Sequence, residues 1–358
     1  MDAVSGLVFR GDGERVSTET VLYLAHPEAD GALSRHSLEA LAVAQSAAAT
    51  LGAALVVGLF GADVRAAANA VGACGARRFL AVQGPEFATP CYATDTAAVE
   101  ALARAAEATV IVGAHTSRLA RVAAGAALRL SGRVDTHAGS VTAGADGLAV
   151  TRWFYKQRIE GDVRRSQRPW IVLVDPGAAE AYAKTAANVT FEIVTVAATN
   201  NRTQTVGLRE PGAGEQTIRP EAELLFVAGA GWTRRQKDGQ PHTEEAERLI
   251  LDFVRASRAS LGSTKSLTDI SGEGQAVLHC LSHLNQVGQT GSTPRHAKGL
   301  STCCHGEEPH VVGWRFIRER RAVNLDPNCG WARGKADVLY VADAFAVMRE
   351  LNRLLAAQ

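Results

Sequence analysis

The sequence predicts an α/β protein of two domains, each with a mostly parallel sheet flanked by helices, the second one doubly wound. Three observations carry this reading. Short β-branched apolar runs alternate with longer Ala- and Leu-rich segments, as strands joined by crossover helices do. The alternation breaks once, over the polar residues 198–220, and then restarts. The length of 358 residues suits two domains better than one. The chain accordingly divides into a polar lead-in (1–19), an N-terminal α/β domain (20–205), a connection (206–219) and a second α/β domain (220–358).

The first strand is TVLYLAH (20–26), a buried apolar run. SLEALAVAQSAAATLG (37–52) follows as a helix of strong formers ending in Gly52. ALVVGLFG (54–61) is a strand, DVRAAANAVGACG (63–75) a helix, RRFLAVQ (77–83) a strand and 95–108 a helix. TVIVGAH (109–115) and the helix 118–132 complete the regular part. SVTA (140–143), LAVTRWFY (148–155) and PWIVLVDP (169–176) predict a less regular antiparallel or mixed portion.

The second domain opens with ELLFVAGAGW (223–232), a strand and a glycine turn. Over 242–257, Ala246, Leu249, Ile250, Phe253 and Val254 fall on one helical face. Thr243 is the expected N-cap, and Glu244, Glu245 and Glu247 suit the positive end of the dipole. HVVGW (310–314), RRAVNLDP (320–327) and DVLYVAD (337–343) are further strands, and a final helix presents Ala344, Val347, Met348, Leu351 and Leu355. Ligands in such sheets sit beyond the carboxyl ends of strands, so the loops after Val227, Val323 and Val341 are the places to search.

Composition narrows the function classes. A net charge of +1 gives no global field to recruit nucleic acid or an acidic membrane. No apolar run approaches the roughly 20 residues that span a bilayer, so no membrane insertion is expected. Residues 1–20 lack a signal-peptide pattern, and six cysteines without a CxxC suit a reduced, cytoplasmic setting. His279, Cys280, His283, Cys303, Cys304 and His305 share one stretch, but their spacing fits no zinc pattern, so no metal site is expected. His115 follows a strand in the first domain.

The unusual text is QVGQTG, 286–291. It offers backbone N–H groups unhindered at Gly288 and Gly291, two amides and a hydroxyl, which bind phosphate oxygens and heterocycle edges without formal charge. A glycine turn with its glutamines in water is the plainer alternative. No GxxxxGK[ST] occurs, and GAG after Val227 matches only part of a dinucleotide fingerprint.

The ordered series S-R-A (257–259), Q-V-G-Q-T-G (286–291), H-x-x-G (310–313), A-V-N-x-D-P (322–327) and V-A-D-x-F (341–345) resembles the electron transfer flavoprotein α-subunit family. Residues 20–61 and 119–136 look like that family's N-terminal domain. The resemblance implies a doubly wound FAD-binding C-terminal domain and a heterodimer with an electron transfer flavoprotein β subunit. It implies an electron carrier, not a substrate-converting enzyme, running between a donor dehydrogenase and a quinone-linked acceptor oxidoreductase. Arg258 would lie against the isoalloxazine. Gln286, Gly288, Gln289, Thr290 and Gly291 would form the flavin and pyrophosphate loop, with Thr290 near N5. His310 would sit at the N1/O2 side, and Asn324 and Asp343 at the adenosine end. Ser257, Val287, His305 and Asp326 complete the expected cofactor contacts. AGAGW stands where the family has G-G-R-G, and 262–285 reads as an insertion. The missing arginine, together with HGEEPH (305–310) where the family reads S-G-A-I-Q-H, suggests as the alternative an FAD-free scaffold subunit of a dehydrogenase complex.

The expected chemistry follows from charge. A flavin taking an electron becomes negative around N1, C2=O and C4=O, and a fixed guanidinium stabilises that state. Neutral amides and a hydroxyl at N5 orient the ring without forcing protonation.

Overall fold

The computed structural model describes residues 7–9, 15–17, 19–144, 147–154, 159–197, 199, 201–207, 218–219, 222–269, 276–288, 294–302, 314 and 316–357. The chain forms two compact units, 1–208 and 209–358.

In the first unit β1 (Leu7–Phe9) and β2 (Arg15–Ser17) make a small antiparallel pair. The main elements are β3 (Thr20–Ala25), α1 (Arg35–Leu51), β4 (Ala54–Gly61), α2 (Arg65–Ala70), β5 (Arg78–Gln83), α3 (Tyr92–Ala105), β6 (Val110–Ala114) and α4 (Ser117–Arg129). They continue with β7 (Arg133–Gly144), β8 (Gly147–Phe154), β9 (Ile159–Val163), β10 (Trp170–Val174) and β11 (Glu192–Ile193). The nine-stranded sheet runs β11-β5-β4-β3-β6-β10-β7-β8-β9. Every pairing from β11 to β7 is parallel, and β8 and β9 add antiparallel strands at the far side.

Continuous apolar runs form the central strands because both faces are covered. Val21, Tyr23 and Ala25 of β3 pack with α1, while Leu22 and Leu24 pack with α3 and α4. That is the period-two alternation of a strand between two helical layers. A buried aliphatic side chain contributes about 1.5–3 kcal/mol, so truncating Leu22 costs about 2–5 kcal/mol once its cavity is included. Helix α1 stops where expected: Gly52 takes φ 60 and its N–H reaches Ala48 O and Ala49 O.

Several expectations are corrected. The helix expected over 63–75 is only Arg65–Ala70. The chain at Ala187 passes so close that a Cβ on Gly72 would lie 2.1 Å from its carbonyl oxygen. The predicted SVTA strand is the end of the longer β7, and β10 lies parallel between β6 and β7. Strands β9 and β11 were not predicted.

The second unit holds β12 (Leu224–Ala228), α5 (Thr243–Ser257), β13 (Ser260–Ser263), α6 (Lys265–Asp269), β14 (Lys298–Thr302), β15 (Glu319–Asn324), α7 (Gly330–Lys335), β16 (Val338–Val341) and α8 (Ala344–Ala356). The sheet runs β13-β12-β14-β15-β16, parallel throughout. Phe226 and Ala228 face α5 and α8, and Leu225 and Val227 face Val287, Trp314 and α7. The five predicted apolar positions of α5 are all buried. Thr243 begins that helix, and the capping position is His242, with no side-chain cap bond. Strands β13 and β14 were not predicted. In the segment read as an insertion, Gly262 and Ser263 end β13 and Lys265–Asp269 form α6. The expected strand 310–314 lies outside the described residues except Trp314, which is in 3-10 rather than strand conformation. Among the described residues no helix is long and apolar enough to cross a membrane.

Candidate functional site

The winding of the second sheet reverses beside β12. The chain goes out to β13, returns past β12 to β14 and continues to β16. Ligands of such sheets lie beyond the carboxyl ends near that reversal. Ala228, Ser263, Thr302, Asn324 and Val341 end the five strands there.

Two segments shape this edge. After β12 the turn Ala230–Thr233 buries Trp232, whose Nε1 donates to Thr302 Oγ1 at 2.9 Å and whose ring centroid lies 4.6 Å from that of Phe345. Trp232 thereby closes the β12–β14 junction on the α5/α8 face. Beside β13, Gln286 forms a parallel bridge to Ser263, and Val287 N donates to Ser263 O at 3.0 Å. Asn285 Nδ2 anchors the approach by donating to Leu261 O at 3.0 Å. Val287 is buried against Leu225 and Val227. Gly262 makes room for it, since a Cβ there would lie 2.7 Å from Val287 Cγ2. Gly288 takes φ 87, a conformation glycine reaches without strain.

Polar groups gather at this edge. Among the described residues Ser263 Oγ, Thr264 Oγ1 and Asn324 Nδ2 are buried with no hydrogen-bond partner. Gln286 is also buried, and its side-chain Nε2 donates to Gly288 O at a long 3.4 Å. Each unmet buried polar group costs about 1–3 kcal/mol. A hydrogen-bonding ligand at the strand ends would remove that cost, and the donor set is neutral hydroxyl and amide. Lys265 begins α6 directly after Thr264 and is exposed.

Not every expected site residue is at this edge. Ser260 pairs with Leu225 near the start of β12, and Ser263 pairs with Ala228 at its end. Arg258, two residues before β13, therefore stands at the amino edge. It caps α5 with φ 54, and its carbonyl accepts from Arg219 Nη2 at 2.5 Å. Ser257 Oγ donates to Phe253 O at 2.6 Å within α5. Four residues at about 3.3 Å rise put roughly 13 Å between the two edges. The structure does not bring Ser257 and Arg258 to Gln286, Val287 and Gly288, because Ser-Arg-Ala precedes a strand rather than following one. Asn324 ends β15 and its Oδ1 accepts from Asp326 N at 3.0 Å. Asp326 is committed to a turn, with Oδ1 accepting from Asn328 N at 2.8 Å. Asp343 caps α8 by accepting from Ala346 N at 2.9 Å. Gln289, Thr290, Gly291, His305 and His310 lie outside the described residues. Cys280 is a buried thiol pushed up to about 12 by burial and then by Glu247, so it resists ionisation.

Sequence reasoning missed one grouping. In the first unit His115 and Asp175, each directly after a strand, and His137, within β7, bring their ligand atoms within 4.8 Å of one another. The separate segments gave no local motif.

The two units define an α/β protein of the parallel-sheet class with polar groups gathered at strand ends. The electron transfer flavoprotein domain model matches residues 21–200, just over half of the 358, and the chain belongs to that family. Proteins of this family are electron carriers rather than catalytic enzymes. No curated protein matches the chain at a significant level.

Proposed function

We propose that the chain is an α-type electron transfer flavoprotein subunit that holds FAD at the carboxyl edge of its second sheet. Single electrons would pass from a donor dehydrogenase to a quinone-linked oxidoreductase, with a β-type subunit as partner. The observation that carries this reading is a set of buried groups without a partner among the described residues, Ser263 Oγ, Thr264 Oγ1 and Asn324 Nδ2, around the Gln286–Gly288 segment. Ser263 and Asn324 end β13 and β15, three strand spacings apart, or roughly 14 Å at about 4.8 Å each. That span suits an extended dinucleotide better than a mononucleotide.

FAD, when bound, supplies the one-electron chemistry. The chain's residues bind and orient it. Ser263, Thr264 and Gln286 offer neutral hydrogen bonds, Gly288 lets the backbone approach closely, and Asn324 offers an amide at the far end. In this reading Lys265, at the start of α6, takes the cationic part first expected of Arg258. An ammonium is a compact, strongly hydrated charge, so it would stabilise developing negative charge without the fixed fork of a guanidinium.

Co-expression with a β-type subunit tests the proposal. One FAD per heterodimer, seen as a flavin absorption spectrum, is the expected result. A colourless heterodimer would favour a second reading, the FAD-free scaffold. Trp232, seated at the reversal of strand order, is the observation on that side.

A further inference from the structure

We propose that His115, His137 and Asp175 form a binding site for one divalent transition-metal ion of the zinc class, separate from the flavin reading. His137 Nδ1 lies 3.1 Å from Asp175 Oδ1, and His115 Nδ1 lies 3.8 Å from the same oxygen. The two imidazole centroids are 3.9 Å apart. A tetrahedral zinc ion with bonds of about 2.0–2.1 Å holds its ligand atoms about 3.3 Å from one another. The two separations from Asp175 Oδ1 bracket that value and all three ligand atoms lie within 4.8 Å of one another, so side-chain rotations close the set around an ion.

The backbone fixes this convergence. His115 follows β6 directly, and its N–H donates to Val174 O at 2.8 Å. Asp175 follows β10, and its N–H donates to Ala138 O at 2.8 Å. Three neighbouring parallel strands therefore deliver the three side chains at one edge. His137 arrives through an irregularity: the β10–β7 register shifts between Val172 and Val174, and His137 takes φ 56. A bulge re-aims a side chain, and a left-handed conformation at a non-glycine residue carries strain that marks functional sites. Glu39 Oε2 accepts from Gly177 N at 2.6 Å and holds the loop after Asp175 in place.

The donor set specifies the ion. Two imidazoles and one carboxylate suit zinc, cobalt or nickel, whereas magnesium and calcium prefer oxygen ligands. The side chains of Asp175 and His115 are 9% and 19% exposed, and that of His137 is 62% exposed. The inner ligands are thus shielded, while the His137 side opens to solvent. Three protein ligands leave a fourth position for water or for an anionic group of a small molecule.

The test uses the full-length chain, stripped with EDTA and titrated with cobalt(II), then with zinc. The expected result is one cobalt per chain, with a visible spectrum of nitrogen and oxygen ligation that zinc abolishes. His137→Ala, at an exposed position, should keep the melting temperature of the stripped protein and weaken cobalt binding at least tenfold. Asp175→Asn should weaken it as much. Stoichiometric binding that survives His137→Ala would overturn the proposal, as would no binding at millimolar cobalt. A thiolate charge-transfer band would overturn it too, since it would place the metal on cysteines.

Discussion

Arg118 and Asp95 form a bidentate ion pair inside the first unit, Nε to Oδ2 at 2.8 Å and Nη2 to Oδ1 at 2.7 Å. The pair ties α4 to α3, and the same Nη2 donates to Phe87 O at 2.8 Å. The guanidinium also stands 4.9 Å from the centroid of Phe60. The side chains are 8% and 0% exposed, so neither charge has water to fall back on. Asp95→Ala should therefore cost about 3–5 kcal/mol, because a buried cation is left unpaired. Replacing both residues, Asp95→Leu with Arg118→Met, should cost clearly less. Urea unfolding of the two variants measures the difference; equal losses would mean the pair is not the cause.

Beside this pair sits His26, buried, with Nε2 3.2 Å from Thr116 Oγ1. Burial first, then the Arg118 charge, pushes its pKa below the ordinary value, while Pro27 O and Asp95 oppose the shift. A neutral buried histidine binds fewer protons in the fold than in the unfolded chain. Stability is then full above the unfolded pKa of about 6.5 and falls as pH drops below it. His36, lowered by burial as well, adds to the same trend. His26→Gln should flatten the stability profile between pH 6.5 and 5, by at most about 1.4 kcal/mol per pH unit. Denaturant midpoints across that window would reveal it; parallel profiles would refute a neutral His26.

Gly262 controls the seating of the Gln286–Gly288 segment. A Cβ there would lie 2.7 Å from Val287 Cγ2 and 3.2 Å from Phe226 O. The carbonyl belongs to the sheet and cannot retreat, so Val287 must shift. Gly262→Ala should cost about 1–3 kcal/mol as an overpacked core. If the flavin reading holds, the variant should also lose FAD about tenfold more easily on dilution, measured by released flavin fluorescence. Unchanged retention would separate this segment from the cofactor.

The legible parts of the sequence were those whose physics is local and repetitive. β3, β4, β6 and β10 are covered on both faces, so they are unbroken apolar runs. α5 buries five residues at helical spacing and was read correctly. Strands β13, SLGS, and β14, KGLST, escaped because they are short and rich in Ser, Thr and Gly, with hydroxyls that serve the strand ends. Gln286–Gly288 stood out by its neutral, glycine-bearing composition. Which edge of the sheet a motif occupies is not written locally, so the sequence alone does not reveal that Ser257 and Arg258 stand at the edge opposite Gln286–Gly288. His115, His137 and Asp175 meet only through the parallel order β6-β10-β7, which no short window contains.

If the flavin reading holds, the place of Lys265 at the carboxyl edge and of Arg258 at the amino edge has a direct consequence for a heterodimer carrying FAD. Arg258 is exposed at the amino edge, roughly 13 Å from the Gln286 end by strand rise. Exposed charges beyond about 8–10 Å are largely screened at physiological salt. Arg258→Ala should thus change FAD retention less than twofold and leave the flavin spectrum as it was. Lys265 follows Thr264, whose N–H donates to Ala228 O at 2.9 Å and holds the start of α6 at the carboxyl edge. Lys265→Ala should weaken retention about tenfold, or about 1.4 kcal/mol. Lys265→Arg should restore most of it, because the charge rather than the ammonium shape is what the edge requires. Titrating the apo-heterodimer with FAD gives all three constants. A large loss in Arg258→Ala with wild-type melting, and none in Lys265→Ala, would return the flavin to the opposite edge and reverse the assignment of the site.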